Sequence, residues 1–126
     1  MKPLNGIKVI DLTHMLAGPY AGMVIADLGA EVVKIEPLVT GEMTRGLLKT
    51  DPNYSYKEFG AYFLTLNRNK KSVSLDLKSE IGLEIFYELV KSADVVLNNF
   101  SAGVVKKLKI DFETLNNINP KIIGRF

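Results

Sequence analysis

Ile7-Lys8-Val9-Ile10-Asp11-Leu12, then Ala17-Gly18-Pro19-Tyr20 leading into the run Ala21 to Leu28, then Glu31-Val32-Val33-Lys34-Ile35-Glu36: these three stretches decide the fold. The first is β-branched, opened by Gly6 and closed by Thr13-His14, and reads as a strand from Lys8 to Leu12. Pro19 suits a first helical turn and Gly29 a C-terminal stop, which predicts a helix from Pro19 to Leu28. The third stretch is largely apolar on both faces, as a buried parallel strand is. Strand, helix and strand within about thirty residues form a βαβ unit.

Outward from that unit, Pro37 to Gly60 holds Pro37, Gly41, Pro52, Asn53 and Gly60 with no sustained period and reads as a surface excursion of the length that is often functional. Ala61 to Leu66 and the polar Asn67-Arg68-Asn69-Lys70-Lys71 carry no assignment, and the alternating Ser72-Val73-Ser74-Leu75-Asp76-Leu77 reads as a third strand. Ser79 and Glu80 open an amphipathic helix from Glu80 to Ser92, with Leu83, Phe86, Leu89 and Val90 at helical spacing. Val95-Val96-Leu97 is a fourth strand. A short helical piece over Gly103 to Leu108, a helix from Asp111 to Ile118 with Asp111 as N-cap, a stop at Asn119-Pro120 and a fifth strand beginning at Lys121 to Gly124 complete the pattern. That order points to an α/β fold, a Rossmann-like doubly wound parallel sheet, forming a single domain over residues 1–126.

Composition narrows the chemistry. With no Cys and one His among 126 residues, zinc-thiolate sites, disulfides and thiol nucleophiles are excluded, and the lone imidazole leaves only scattered carboxylates as metal ligands. The net charge of +2 gives no broad footprint for duplex DNA, but residues 67–126 carry ten of the sixteen Lys and Arg, enough for a small polyanion at one patch. Met15 to Ala26, the longest stretch free of charge, is too short to span a bilayer and is interrupted by Pro19. The expectation is a soluble, cytoplasmic protein without nucleic-acid or membrane partners.

In a doubly wound sheet, ligands sit beyond the carboxyl ends of the strands. There the sequence places Thr13 to Pro19, whose small Ala17 and Gly18 at a helix start suit a phosphate or close helix-to-sheet packing alike. No G-x-G-x-x-G fingerprint accompanies Glu36, which reads as a solvated strand-end carboxylate rather than a ribose-binding acid. His14 is the one possible imidazole base, without a Gly-x-Ser-x-Gly elbow, and reads as a hydrogen-bonded loop residue. Lys78 and one of Lys106, Lys107 and Lys109 suit phosphates as point charges if their loops meet; solvated faces are the competing reading. Asn99-Phe100 offers an amide and a ring for a ligand, or a turn with a core anchor.

Taken in order, the motifs resemble the N-terminal part of the family III CoA-transferases, a group that includes formyl-CoA and carnitine CoA-transferases and the related α-methylacyl-CoA racemases. The resemblance rests on Leu4 to Thr13, His14 to Tyr20, Ala26 to Glu36, Thr44-Arg45-Gly46, Leu66 to Ser72, Leu75 to Lys78, Ala93 to Val96, Asn99-Phe100 and Ile118-Asn119-Pro120. It implies CoA as a substrate, with no covalently bound cofactor. It places His14, Met15, Leu16, Ala17 and Gly18 along the CoA site, largely through their backbone. Leu75 and Lys78 fall at the nucleotide end, Asn99 and Phe100 near the pantetheine arm, and Lys107 where a basic residue meets CoA phosphate.

The same resemblance implies transfer of CoA between an acyl-CoA and a carboxylic acid through an aspartyl intermediate, within an interlocked homodimer. The family's nucleophilic Asp lies further along than Phe126, so the expectation is a CoA-binding portion with no catalytic residue of its own and no turnover. Pro37 and Leu38 stand where an Arg commonly follows the Ile-Glu pair, and Asn98 where a Glu is usual. A racemase-type fragment, a non-catalytic CoA- or nucleotide-binding module, and a remnant too incomplete to fold are the alternatives; the glycine pattern argues against NAD.

Overall fold

The computed structural model describes residues 1–125. Its principal sheet is assembled from β1 (Lys8–Asp11), β2 (Glu31–Glu36), β5 (Lys70–Ser74), β6 (Val95–Leu97) and β7 (Ile123–Arg125), all parallel, in the spatial order β5-β2-β1-β6-β7. Between them run α1 (Ala17–Asp27), α2 (Ala61–Leu66), α3 (Glu80–Lys91), α4 (Ala102–Lys107) and α5 (Phe112–Ile118). The chain moves outward from β1 to one edge, returns, and moves to the other, so the strand order reverses beside β1, where doubly wound sheets bind ligands.

Alternation along the strands builds two cores. Val9, Val32, Val95 and Leu97 point to one face and pack with Ala26 and Ala30 at the α1 end. Ile10, Leu12, Ile35 and Val96 point to the other and pack against Phe86 and Val90 of α3, Val105 of α4, and Ile110 and Leu115. The two-residue period of a strand sends consecutive side chains to opposite layers, so near-continuous apolar runs are what a doubly covered sheet needs. Each layer closes with local chemistry. Ser79 Oγ accepts the Gly82 N–H at 3.0 Å at the start of α3, and Asp111 Oδ1 accepts the Thr114 N–H at 3.2 Å at the start of α5. Asn119 Nδ2 donates to the carbonyls of Val90 and Ala93, both at 2.9 Å, tying the end of α5 to the end of α3. Gly29, at φ 106°, makes the left-handed turn from α1 to β2, and a Cβ there would meet Asn5 Oδ1 at 2.6 Å.

Several boundaries differ from the sequence reading. Helix α1 begins at Ala17 rather than Pro19, because the ladder opens with Tyr20 N–H to Leu16 O at 2.9 Å; Pro19 still lies in the first turn, where its missing N–H has no intrahelical acceptor to lose. The excursion is not structureless. It contains a 3-10 turn at Met43–Arg45 and a small antiparallel pair, β3 (Ser55–Tyr56) with β4 (Phe59–Gly60). Ala61–Leu66 is helical, too short to show a period. The third strand of the principal sheet starts at Lys70, inside the polar tract, and ends at Ser74; β5 is an edge strand, where polar side chains are tolerated. Leu75 adds one last rung, its N–H donating to Glu36 O at 3.0 Å, and Asp76 to Ser79 form a turn.

Candidate functional site

The carboxyl ends of β1, β2, β5 and β6 open onto a groove with two lobes. The inner lobe, about 390 Å³, is lined by Leu12 and His14 after β1, Glu36 to Leu38 after β2, Leu75 to Lys78 after β5, and Phe100 after β6. The outer lobe, about 780 Å³, runs between α3 and α4, over Lys78, Ser79, Glu80, Val104, Lys107 and Lys109. Leu77, Lys78 and Leu108 line both, so the two spaces adjoin. Both fall in the size range of small-molecule sites. One end is mostly apolar; the other carries three lysines against the single carboxylate Glu80.

Of the residues singled out from sequence, His14, Leu75, Lys78 and Phe100 line the inner lobe, and Lys78 and Lys107 line the outer. Asn99 lines neither lobe and holds the wall instead: its Oδ1 accepts the His14 N–H at 2.9 Å and its Nδ2 donates to His14 O at 2.8 Å. The His14 and Phe100 rings then meet at 5.2 Å between centroids. Met15, Leu16, Ala17 and Gly18 line neither lobe. Met15 and Leu16 expose their side chains, and a Cβ on Gly18 would meet Thr13 Cβ at 2.3 Å, so the small residue there serves close packing of α1 on the strand end.

A layer of buried charge beneath the turn escaped the sequence reading. Asp11, Lys34 and Glu36 are each no more than 1% exposed, and all lie on the α1 face of the sheet. Lys70 Nζ donates to Asp11 Oδ2 at 2.8 Å, to Pro19 O at 2.8 Å and to Asn67 Oδ1 at 3.0 Å. Lys34 Nζ donates to Thr13 O at 2.8 Å. Glu36 is not the solvated carboxylate that its place at a strand end suggested. Arg45 grips it with two bonds, Nε to Oε2 at 2.6 Å and Nη2 to Oε1 at 2.7 Å, and Ser72 Oγ and Glu42 N–H add bonds at 2.6 and 2.7 Å. The Arg45 guanidinium also lies 4.0 Å from the Phe63 ring centroid, which pins the excursion to α2. The signal was present in alternation: Val32, Lys34 and Glu36 share one face of β2, and Lys70 and Ser72 share it on β5.

This layer sets the site's protonation. Burial alone would push the Glu36 carboxyl up; the hydrogen bonds from Arg45, Ser72 and Glu42 outweigh it and hold it at about 2. Burial lowers the His14 pKa, as does the nearby Lys34 charge, with Glu42, Asp11 and Glu36 pulling the other way. The shift favours the neutral imidazole, whose ring lies tilted at 51° to Phe100 in the wall. Burial also lowers the Lys70 pKa, opposed by Asp11. Among the described residues no cluster of three His, Asp or Glu is arranged to hold a metal, and no helix is long and apolar enough to cross a membrane.

Comparison with known proteins gives the same outline. A family model described as CoA-transferase family III matches residues 4–124. A formyl-CoA:oxalate CoA-transferase of Afipia carboxidovorans is 41% identical over 122 residues, covering 97% of this chain and 28% of its own length. A succinyl-CoA:mesaconate CoA-transferase of Haloarcula hispanica is 42% identical over 123 residues, covering 98% of this chain and 31% of its own. The crystal structure of a CAIB/BAIF family protein from Brucella suis superposes with a TM-score of 0.88 at 40% identity, over 98% of this chain and 32% of that one. The chain thus spans less than a third of the length of each of these proteins, and the similarity runs through nearly all of its own residues.

Proposed function

The chain belongs to CoA-transferase family III, and from that premise we propose that its two-lobed groove is a CoA site, with the apolar lobe taking the pantetheine arm and the lysine-bearing lobe the nucleotide phosphates. The observation that carries this reading is the change of lining across two adjoining lobes, from Leu12, Ile35 and Phe100 in one to Lys107 and Lys109 in the other, with Lys78 on the boundary they share. CoA has that order of chemistry: an uncharged arm joined to a polyanionic nucleotide. Lysine ammonium groups pair with phosphate as point charges without demanding one orientation. The Asn99 clasp on His14 and the His14–Phe100 ring contact make the wall of the apolar lobe.

The residues of this site are His14, Leu75, Lys78, Phe100 and Lys107 by direct lining and Asn99 by support; Met15 to Gly18 shape the turn beside it without lining either lobe. A dinucleotide reading fares worse. In that class the acid at the end of the second strand binds ribose, whereas both Glu36 oxygens are already bonded to Arg45, Ser72 and Glu42.

In the whole enzyme the substrates are an acyl-CoA and a carboxylic acid, exchanging CoA through an aspartyl intermediate in an interlocked homodimer. On this reading the chain supplies the CoA-binding part of that enzyme and not the acyl-carrying Asp. The test is titration calorimetry of the chain with CoA, followed by a transfer assay with formyl-, succinyl- and butyrobetainyl-CoA. Binding without turnover is the expected outcome. No binding contradicts the CoA site, and transfer by this chain alone contradicts the absence of a nucleophile.

A further inference from the structure

Resting on the CoA reading above, we propose that Glu42, which no sequence motif singled out, is a positioning residue for the turn between β1 and α1: it fixes the Met15 N–H and the charge felt by the His14 imidazole. The turn needs fixing. Met15 sits at φ 69°, a left-handed conformation uncommon for a residue with a side chain. Helix α1 has no side-chain cap at Leu16. The backbone is held instead by side chains from four other segments. Lys34 of β2 bonds Thr13 O, Asn99 bonds both the N–H and the carbonyl of His14, Glu42 of the excursion accepts the Met15 N–H at 3.1 Å, and Lys70 of β5 bonds Pro19 O.

Glu42 is the member that touches both the turn and the groove wall. It is 1% exposed. Its Oε1 accepts from Met15 and lies 3.8 Å from His14 Nδ1, and its Oε2 accepts the Thr44 hydroxyl. Its own N–H is bonded to Glu36, so the carboxylate that Arg45 clamps in place clamps Glu42 in turn. Glu42 lines neither lobe, so it acts through Met15 and His14 rather than by touching CoA. The charged groups around His14 are Lys34, which depresses its protonation, and Glu42, Asp11 and Glu36, which favour it. Lys49 lines a separate depression with His14 and Glu42.

Two conservative variants separate the hydrogen bond from the charge. Glu42→Gln keeps an oxygen for the Met15 N–H and loses the anion; Glu42→Asp keeps the anion and, one methylene shorter, falls short of Met15. Each is measured by CoA calorimetry, and by NMR titration of the imidazole, which is the only one in the chain. Expected for Glu42→Gln is CoA affinity within about threefold of wild type and a His14 pKa moved further down, since an anion that raises it is gone. Expected for Glu42→Asp is CoA affinity weakened about tenfold or more. A Glu42→Asp chain that binds CoA like wild type, a Glu42→Gln chain that loses tenfold, or an unmoved His14 pKa in Glu42→Gln overturns the role of Glu42 and leaves the CoA site standing. A wild-type chain that binds no CoA overturns the CoA site and this role together.

Discussion

Glu36 shows how far a single residue departs from its sequence context. At a strand end, followed by Pro37, it reads as solvated; in the fold it is buried and receives four hydrogen bonds from three partners. Those partners stand 6, 9 and 36 residues away, so no local pattern names them. Because its folded pKa of about 2 lies below its ordinary 4.5, Glu36 contributes stability that is fully present above about pH 4.5 and is lost as the pH falls toward 2. Glu36→Gln is therefore expected to lower stability at neutral pH and to flatten its decline between those two values. Denaturant melts across that range check it; parallel decline of both proteins contradicts it. Arg45→Ala leaves the same carboxylate buried without its cation and costs about 2–3 kcal/mol, read by the shift in melting midpoint.

At the scale of elements, helix and strand order was legible because the apolar periods of 2 and 3.6 are local. The N-caps at Ser79 and Asp111 were legible for the same reason, since each accepts from a residue three positions on. Asp111→Ala, which removes the cap of α5, is expected to cost about 1 kcal/mol in thermal unfolding. The start of α1 and the span of β5 were set by distant contacts instead, the first by Glu42 and Lys70, the second by pairing with β2. Ala17-Gly18 could be read as a phosphate cradle or as close packing, and the geometry favours packing at Gly18: Thr13 occupies the space of its missing Cβ. Gly18→Ala accordingly overpacks that contact and costs about 1–3 kcal/mol. A melt no different from wild type contradicts this account of the turn.

For the whole molecule, the sheet order β5-β2-β1-β6-β7 explains why residues scattered from His14 to Lys107 meet at one edge: parallel strands put all their carboxyl ends on the same side. The fold was legible in the order of the elements, and so were the groove's corners, because strand ends are where such folds place ligands. The depth of the site was not legible. Lys34, Glu42 and Lys70 reach the turn from 21, 27 and 51 residues away, and a sequence pattern carries no record of such pairings. The mild excess of positive charge in the second half of the chain acquires a place as well, since Lys78, Lys107 and Lys109 converge on the outer lobe.

The central claim is that this groove recognises CoA by its lysine lobe, and calorimetric titration of wild type and of the Lys78→Glu/Lys107→Glu double variant with CoA, and of wild type with NAD, tests it most directly. The predicted result is saturable binding of CoA by wild type, affinity at least about tenfold weaker in the double variant, and no comparable binding of NAD; equal affinity of the two proteins for CoA, or of wild type for CoA and NAD, would contradict the account.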